Sequence, residues 1–92
     1  MSVAPARASA RVWPNPASRD PAVAFTLPAS GRATLEVLDI AGRRVATVEV
    51  GGQAPGRRSV RLPGVARLPA GLYLVRLTQN GRCAATRMVV VR

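Results

Sequence analysis

The sequence has no histidine and no lysine, and it has one cysteine, Cys83. Without histidine, general acid–base work would fall to the carboxylates. Those number only four: Asp20, Glu36, Asp39 and Glu49. Glu36 and Glu49 fall at outward positions of alternating runs, not in a facing pair. A single cysteine excludes an intrachain disulfide and a multi-thiolate zinc site. With no imidazole to act as its base, Cys83 is expected to be a small buried hydrophobe. Aromatics are equally scarce: Trp13, Phe25 and Tyr73. Three rings cannot build a sugar-binding platform or a stacking surface for single-stranded nucleic acid. No apolar run approaches the ~20 residues of a membrane span. The first eleven residues, "MSVAPARASAR", lack the continuous apolar stretch of a signal peptide and read as a linker. If the protein is exported, its leader is expected upstream of residue 1.

What the chain does have is aliphatic alternation and positive charge. Hydrophobic residues make up 48% of 92 residues, too many for a disordered tail and enough for one small domain. The 14 basic residues are all arginine, giving a formal charge of +10. Such a balance invites a nucleic-acid reading. The lack of lysine, beside abundant Ala, Gly, Pro and Val, favours a coding bias toward arginine instead. No nucleic-acid partner is therefore expected.

Short apolar-alternating runs follow one another along the chain. "AVAFTL" puts Val23, Phe25 and Leu27 on one face, and "ATLEVLD" does the same with Ala33, Leu35 and Val37. "RVATVEV", "RRSVRL", "LYLVRLTQ" and "RCAATRMVVVR" continue the pattern, and "RVWPNPAS" supplies a short extended piece at the start. The eight glycines and eight prolines sit mainly between these runs, and no segment carries a helical period. Seven short strands at this spacing predict an all-β fold, a seven-stranded antiparallel Ig-like β-sandwich. Its expected bounds are residues 12–92, with residues 1–11 as linker.

The turns have their own chemistry. Asn80-Gly81 between apolar runs is the strongest short hairpin signal, because both residues tolerate positive φ. In "LDIAGRRV" the Asp39 carboxylate can cap a turn, and Gly42 can supply the left-handed residue that ends it. Arg43 and Arg44 then open the next strand, placed to pair with Asp39 or with a neighbouring strand. "GGQAPGRR" has glycines like a phosphate-cradling loop, but it lacks the Lys-Ser/Thr ending and the following helix. It is read as a connection.

Four pieces occur in a telling order: "PNP", "LEVLDIAGRRV", "LPAGLYLVRL" and "TRMVVVR". The ordered set resembles the C-terminal sorting domains of the type IX secretion system. It is also similar to the immunoglobulin-like domain of flagellar hook-capping proteins. The resemblance covers about residues 12–92. It implies a compact seven-stranded sandwich with no catalytic centre and no cofactor, at the end of a larger cargo protein. The implied partners are an outer-membrane secretion translocon and a sortase-like peptidase, and the implied destination is the cell surface or the medium, by way of the periplasm.

By the same resemblance, the recognition positions are Asn15 and Pro16 in the leading motif. Asp39, Gly42 and Arg43 match the central corner, Gly71 and Tyr73 the sixth strand, and Arg87 and Arg92 the last. The pattern departs from the family at Leu38, where an aromatic is usual, at Arg87, where lysine is usual, and at Leu62-Pro63, where an aromatic is expected after the fifth strand. The last strand is expected to offer a free edge to which a receptor could add. A passive Ig-like spacer, as in the hook-capping relatives, is the alternative, and a basic nucleic-acid-binding domain a more distant one.

Overall fold

The structure, a computed structural model, describes residues 9–13, 15–17, 19–27, 29–50, 56–62 and 64–91. Arg92, residues 1–8 of the expected linker and the glycine-rich residues 51–55 lie outside them.

Among the described residues seven strands form: β1 Ser9–Trp13, β2 Ala22–Leu27, β3 Thr34–Leu38, β4 Arg44–Glu49, β5 Gly56–Arg61, β6 Gly71–Gln79 and β7 Arg82–Val90. They make two antiparallel sheets, β1-β2-β5 and β4-β3-β6-β7. The predicted all-β sandwich is therefore the fold. The only helical element among the described residues is a single 3-10 turn over Val65–Arg67, which sequence periodicity did not signal. It lies in the crossing from β5 to β6 and is held by Asp20, whose Oδ1 accepts from the Ala66 N–H at 3.0 Å.

The alternation does what it predicts. Val23, Phe25 and Leu27 of β2 face Leu35 and Val37 of β3, Val75 and Leu77 of β6, and Met88 and Val90 of β7, all buried in one aliphatic core. Each large aliphatic side chain so buried contributes about 1.5–3 kcal/mol. The outer strands β4 and β5 give only partly buried Ala46, Val48 and Val60. β1 starts at Ser9, earlier than the boundary read from the sequence. Ser9, Ala10 and Arg11 pair with Thr26, Phe25 and Ala24, so the ladder on β2 continues into the stretch read as linker.

Alternation also places Cys83 outward, and the cysteine is exposed, not buried as its residue type suggested. The Asn80-Gly81 turn has φ of 52° and 76°, the positive pair that a two-residue hairpin between right-twisted strands requires. No helix among the described residues is long and apolar enough to cross a membrane.

Candidate recognition face

The Asp39 corner is closed by one side chain. Asp39 Oδ1 accepts from the Ala41 N–H at 3.0 Å and from the Arg43 N–H at 2.9 Å. Oδ2 accepts from Arg43 Nε at 3.0 Å. The backbone adds Asp39 N to Arg43 O at 2.9 Å and Gly42 N to Asp39 O at 3.0 Å. Gly42 sits at φ 84°, where a β-branched residue would be strained. The donated backbone N–H of Arg43 is the main reason the Asp39 carboxyl is held below its usual range, with the Arg43 guanidinium and Ala41 N–H assisting against partial desolvation. The Asp, Gly and Arg of the Asp-x-x-Gly-Arg spacing thus each have a job in the turn. The loop is closely hydrogen-bonded, yet it carries Ile40 at its tip, 84% exposed.

After the corner, a β-bulge changes the register of β4. Val37 pairs with Ala46, but Leu38 pairs with Arg44. The extra residue turns Arg44 to the outer face, where Nη1 meets Glu36 Oε2 at 3.2 Å. Arg76, opposite Glu36 on β6, donates from Nε and Nη2 to Glu36 Oε1 at 3.2 and 3.0 Å. Glu36 does point away from the sandwich core, as the alternation says. It is nonetheless 9% exposed, because the two arginines cover it. Their hydrogen bonds, Arg76 first, hold its carboxyl below the usual range against the opposing effect of burial.

The leading motif acts at a distance. Asn15 Nδ2 donates to Arg87 O at 2.8 Å, and Asn15 Oδ1 accepts from the Val89 N–H at 3.0 Å. Ala17 N then donates to Val89 O at 2.7 Å, and Val91 N to Ala17 O at 2.9 Å. The peptide bond between Asn15 and Pro16 is cis. Asn15–Ala17 is therefore a strap along the outer edge of β7. This corrects the expectation of a free terminal edge: from Arg87 to Val91 the edge is already paired.

Gly71 opens β6 opposite Val90. Two residues on, Tyr73 is buried in the core, and its hydroxyl donates to Pro69 O at 2.7 Å. That backward bond near the start of a strand is the geometry of a tyrosine corner in Greek-key sandwiches. Gln79, at the other end of β6, was not singled out by sequence. It is 1% exposed and staples the β2–β3 connection. Its Nε2 donates to Ala29 O at 2.8 Å and Gly31 O at 3.1 Å, and its Oε1 accepts from Ala29 N at 3.1 Å.

The expected positions are thus divided. Asp39, Gly42 and Arg87 line a groove of about 560 Å³ on the outer face of the four-stranded sheet, and Arg43 stands at the corner, paired with Asp39. Asn15 and Pro16 lie at the β7 margin, and Tyr73 points inward. Arg92 is not among the described residues.

No curated protein matches the chain significantly. Residues 11–92 match the family described as secretion system C-terminal sorting domain. Members carry the non-catalytic signal that routes an exported protein through the type IX system, across the outer membrane, to the cell surface or medium. With nearly the whole sandwich inside the match, the chain belongs to the family of type IX secretion C-terminal sorting domains.

Proposed function

We propose that the folded sandwich itself is the signal, and that the outer-membrane translocon reads it on the face that carries the Asp39 corner and Arg87. A sortase-like peptidase then separates it from the cargo attached before the domain. Asn15, Pro16, Asp39, Gly42, Arg43, Gly71, Tyr73, Arg87 and Arg92 divide this labour. Arg87 and Arg92 contact the receptor, and the others hold the face in shape.

The carrying observation is that Asp39, Gly42 and Arg43 build a closely hydrogen-bonded corner near an exposed Arg87, whose guanidinium forms no ion pair among the described residues. A free guanidinium on a fixed strand can take a carboxylate in bidentate fashion. The domain does no chemistry in this reading. All four acids have structural partners: Asp20 with Ala66, Glu36 with Arg44 and Arg76, Asp39 with Arg43, and Glu49 with Thr34. In this reading residues 12–92 form the signal and residues 1–11 the linker, although β1 begins ahead of that boundary, at Ser9.

The test is the double variant Arg87→Gln with Arg92→Gln, first checked for an unchanged melt. Reduced export of a fused reporter supports the assignment. Unaltered export of the folded variant removes those arginines from the contact.

A further inference from the structure

The outer face of a solvent-exposed sheet is expected to be polar, yet part of this one is not. Leu38 and Leu74 are cross-strand partners on β3 and β6, and Leu72 pairs with Val89 on β7. Leu72, Leu74 and Val89 are exposed large apolar residues, and Ile40 overhangs them from the Asp39 corner. Leu38, Ile40, Leu72 and Leu74 line the same groove with Arg76 and Arg87. Contiguous exposed apolar surface of this kind marks a contact site. Ile40 is the clearest sign. A turn held by five hydrogen bonds gains nothing in stability from an isoleucine in solvent.

The charges around the floor have one sign left over. Four arginines, Arg43, Arg44, Arg76 and Arg87, meet two carboxylates, Glu36 and Asp39, leaving a surplus of two positive charges. Both carboxylates are already paired with Arg43, Arg44 and Arg76, which leaves Arg87 without an ion-pair partner among the described residues and open to an incoming anion. Arg87 is opposite Leu74 in the ladder, so a cation stands directly beside the apolar floor. Charge complementarity therefore calls for an acidic partner, and the leucine floor calls for one with aliphatic or aromatic side chains. A nucleic acid would meet leucines where it needs stacking rings.

We infer that this groove docks an extended segment of a partner protein in which apolar side chains alternate with acidic ones. The apolar side chains fill the floor between Ile40 and Leu74, and an acidic side chain reaches Arg87. The inference rests on reading the domain as a folded signal, and it names the surface and the partner's chemistry. Leu72, Leu74 and Arg87 remain exposed beside the strap on β7, so docking does not require Asn15 to let go.

A binding arm tests the groove without any secretion apparatus. The purified domain, methyl-labelled, is titrated with a short synthetic peptide alternating leucine and glutamate, and with the same peptide carrying lysine for glutamate. Shifts confined to the methyls of Leu38, Ile40, Leu72, Leu74 and Val89, with the acidic peptide on the order of tenfold tighter, are expected. Arg87→Glu should abolish that preference. Shifts elsewhere, none at all, or equal affinity for both peptides would overturn the inference.

A second arm uses the domain fused to an exported reporter. Ile40→Glu with Leu74→Glu changes outward side chains, so the melt should hold while surface delivery falls at least about tenfold, the loss of roughly one good contact's worth of affinity. If the parent fusion reaches the surface and the folded variant does so equally well, the groove is not the docking site. If the parent fusion itself stays in the periplasm, the sorting reading fails, and the peptide shifts alone decide the groove.

Discussion

The side-chain amide of Asn15 takes the backbone N–H of Val89 at 3.0 Å, across 74 positions of sequence. With its second bond to Arg87 O, it ties the start of the domain to the last strand. Asn15→Ala should lose both bonds, each worth about 0.5–1.5 kcal/mol. A domain of this size shifts its midpoint by about 4–8 °C per kcal/mol. A thermal melt checks this, and an unchanged midpoint would mean that the strap does not hold in solution.

Gly42→Val places a β-branched side chain at φ 84°. Open space surrounds the position, so the cost is backbone strain and not a clash. A loss of about 1–3 kcal/mol is expected, a large share of a small domain's stability. Gly42→Ala should cost less than valine. Equal melts for all three proteins would contradict the turn geometry.

Gln79→Leu keeps the volume but removes the three bonds to Ala29 and Gly31. The β2–β3 connection should loosen before the sheets do. Hydrogen exchange is expected to speed up at Ala29 and neighbouring amides, with global stability down by about 1–3 kcal/mol. Protection that stays at the parent level would remove Gln79 as the staple.

Stability should fall in acid. Glu36 and Asp39 both have carboxyls held below their ordinary values of 4.5 and 3.8, so each stabilises the fold once it is ionised. That contribution is complete above those ordinary values and is lost as pH falls through the lowered ones in the folded state. With no histidine in the chain, the curve should be nearly flat from about pH 5 to pH 7. Urea midpoints of the parent protein and Glu36→Gln across pH 3–7 test this. The variant should be weaker at neutral pH, and its loss on acidification smaller. A parent midpoint that rises in acid would contradict the pairing.

How far the sequence reached follows from the range of each interaction. Alternation is a local signal, so the strands, the inward faces of β2 and β3, and both hairpin corners were legible. The Asp39–Arg43 pairing lies four residues apart and could be anticipated from turn chemistry. Asn15 on Val89 and Gln79 on Ala29 could not, because both join distant segments and an isolated amide gives no hint of its partner. Glu36 was read onto the right face, but its near-burial could not be foreseen, since part of its cover comes from Arg76, forty positions away. Cys83 shows the reverse error. Residue type favoured burial, but the phase of β7 decided.

The positive charge should confer only weak, salt-sensitive attraction to nucleic acid. Arg11, Arg57 and Arg61 share the outer face of the three-stranded sheet with Trp13, 71% exposed and the only ring there among the described residues. Duplex and single-strand affinities measured across a salt series should collapse well before about 0.15 M salt. Submicromolar binding that persists there would assign the arginines a nucleic-acid role.

The most direct measurement is delivery of a reporter. Residues 9–92 are fused behind a periplasmically exported fluorescent protein and produced in two otherwise identical hosts of the matching lineage, one with a type IX translocon and one without. Surface accessibility is scored by protease and antibody on intact cells. The reporter should become accessible in the competent host and remain periplasmic in the other, and Gly42→Val should reduce delivery in proportion to its loss of folded domain. A reporter that stays periplasmic in both hosts, with the domain shown to be folded, would contradict the sorting function of this chain.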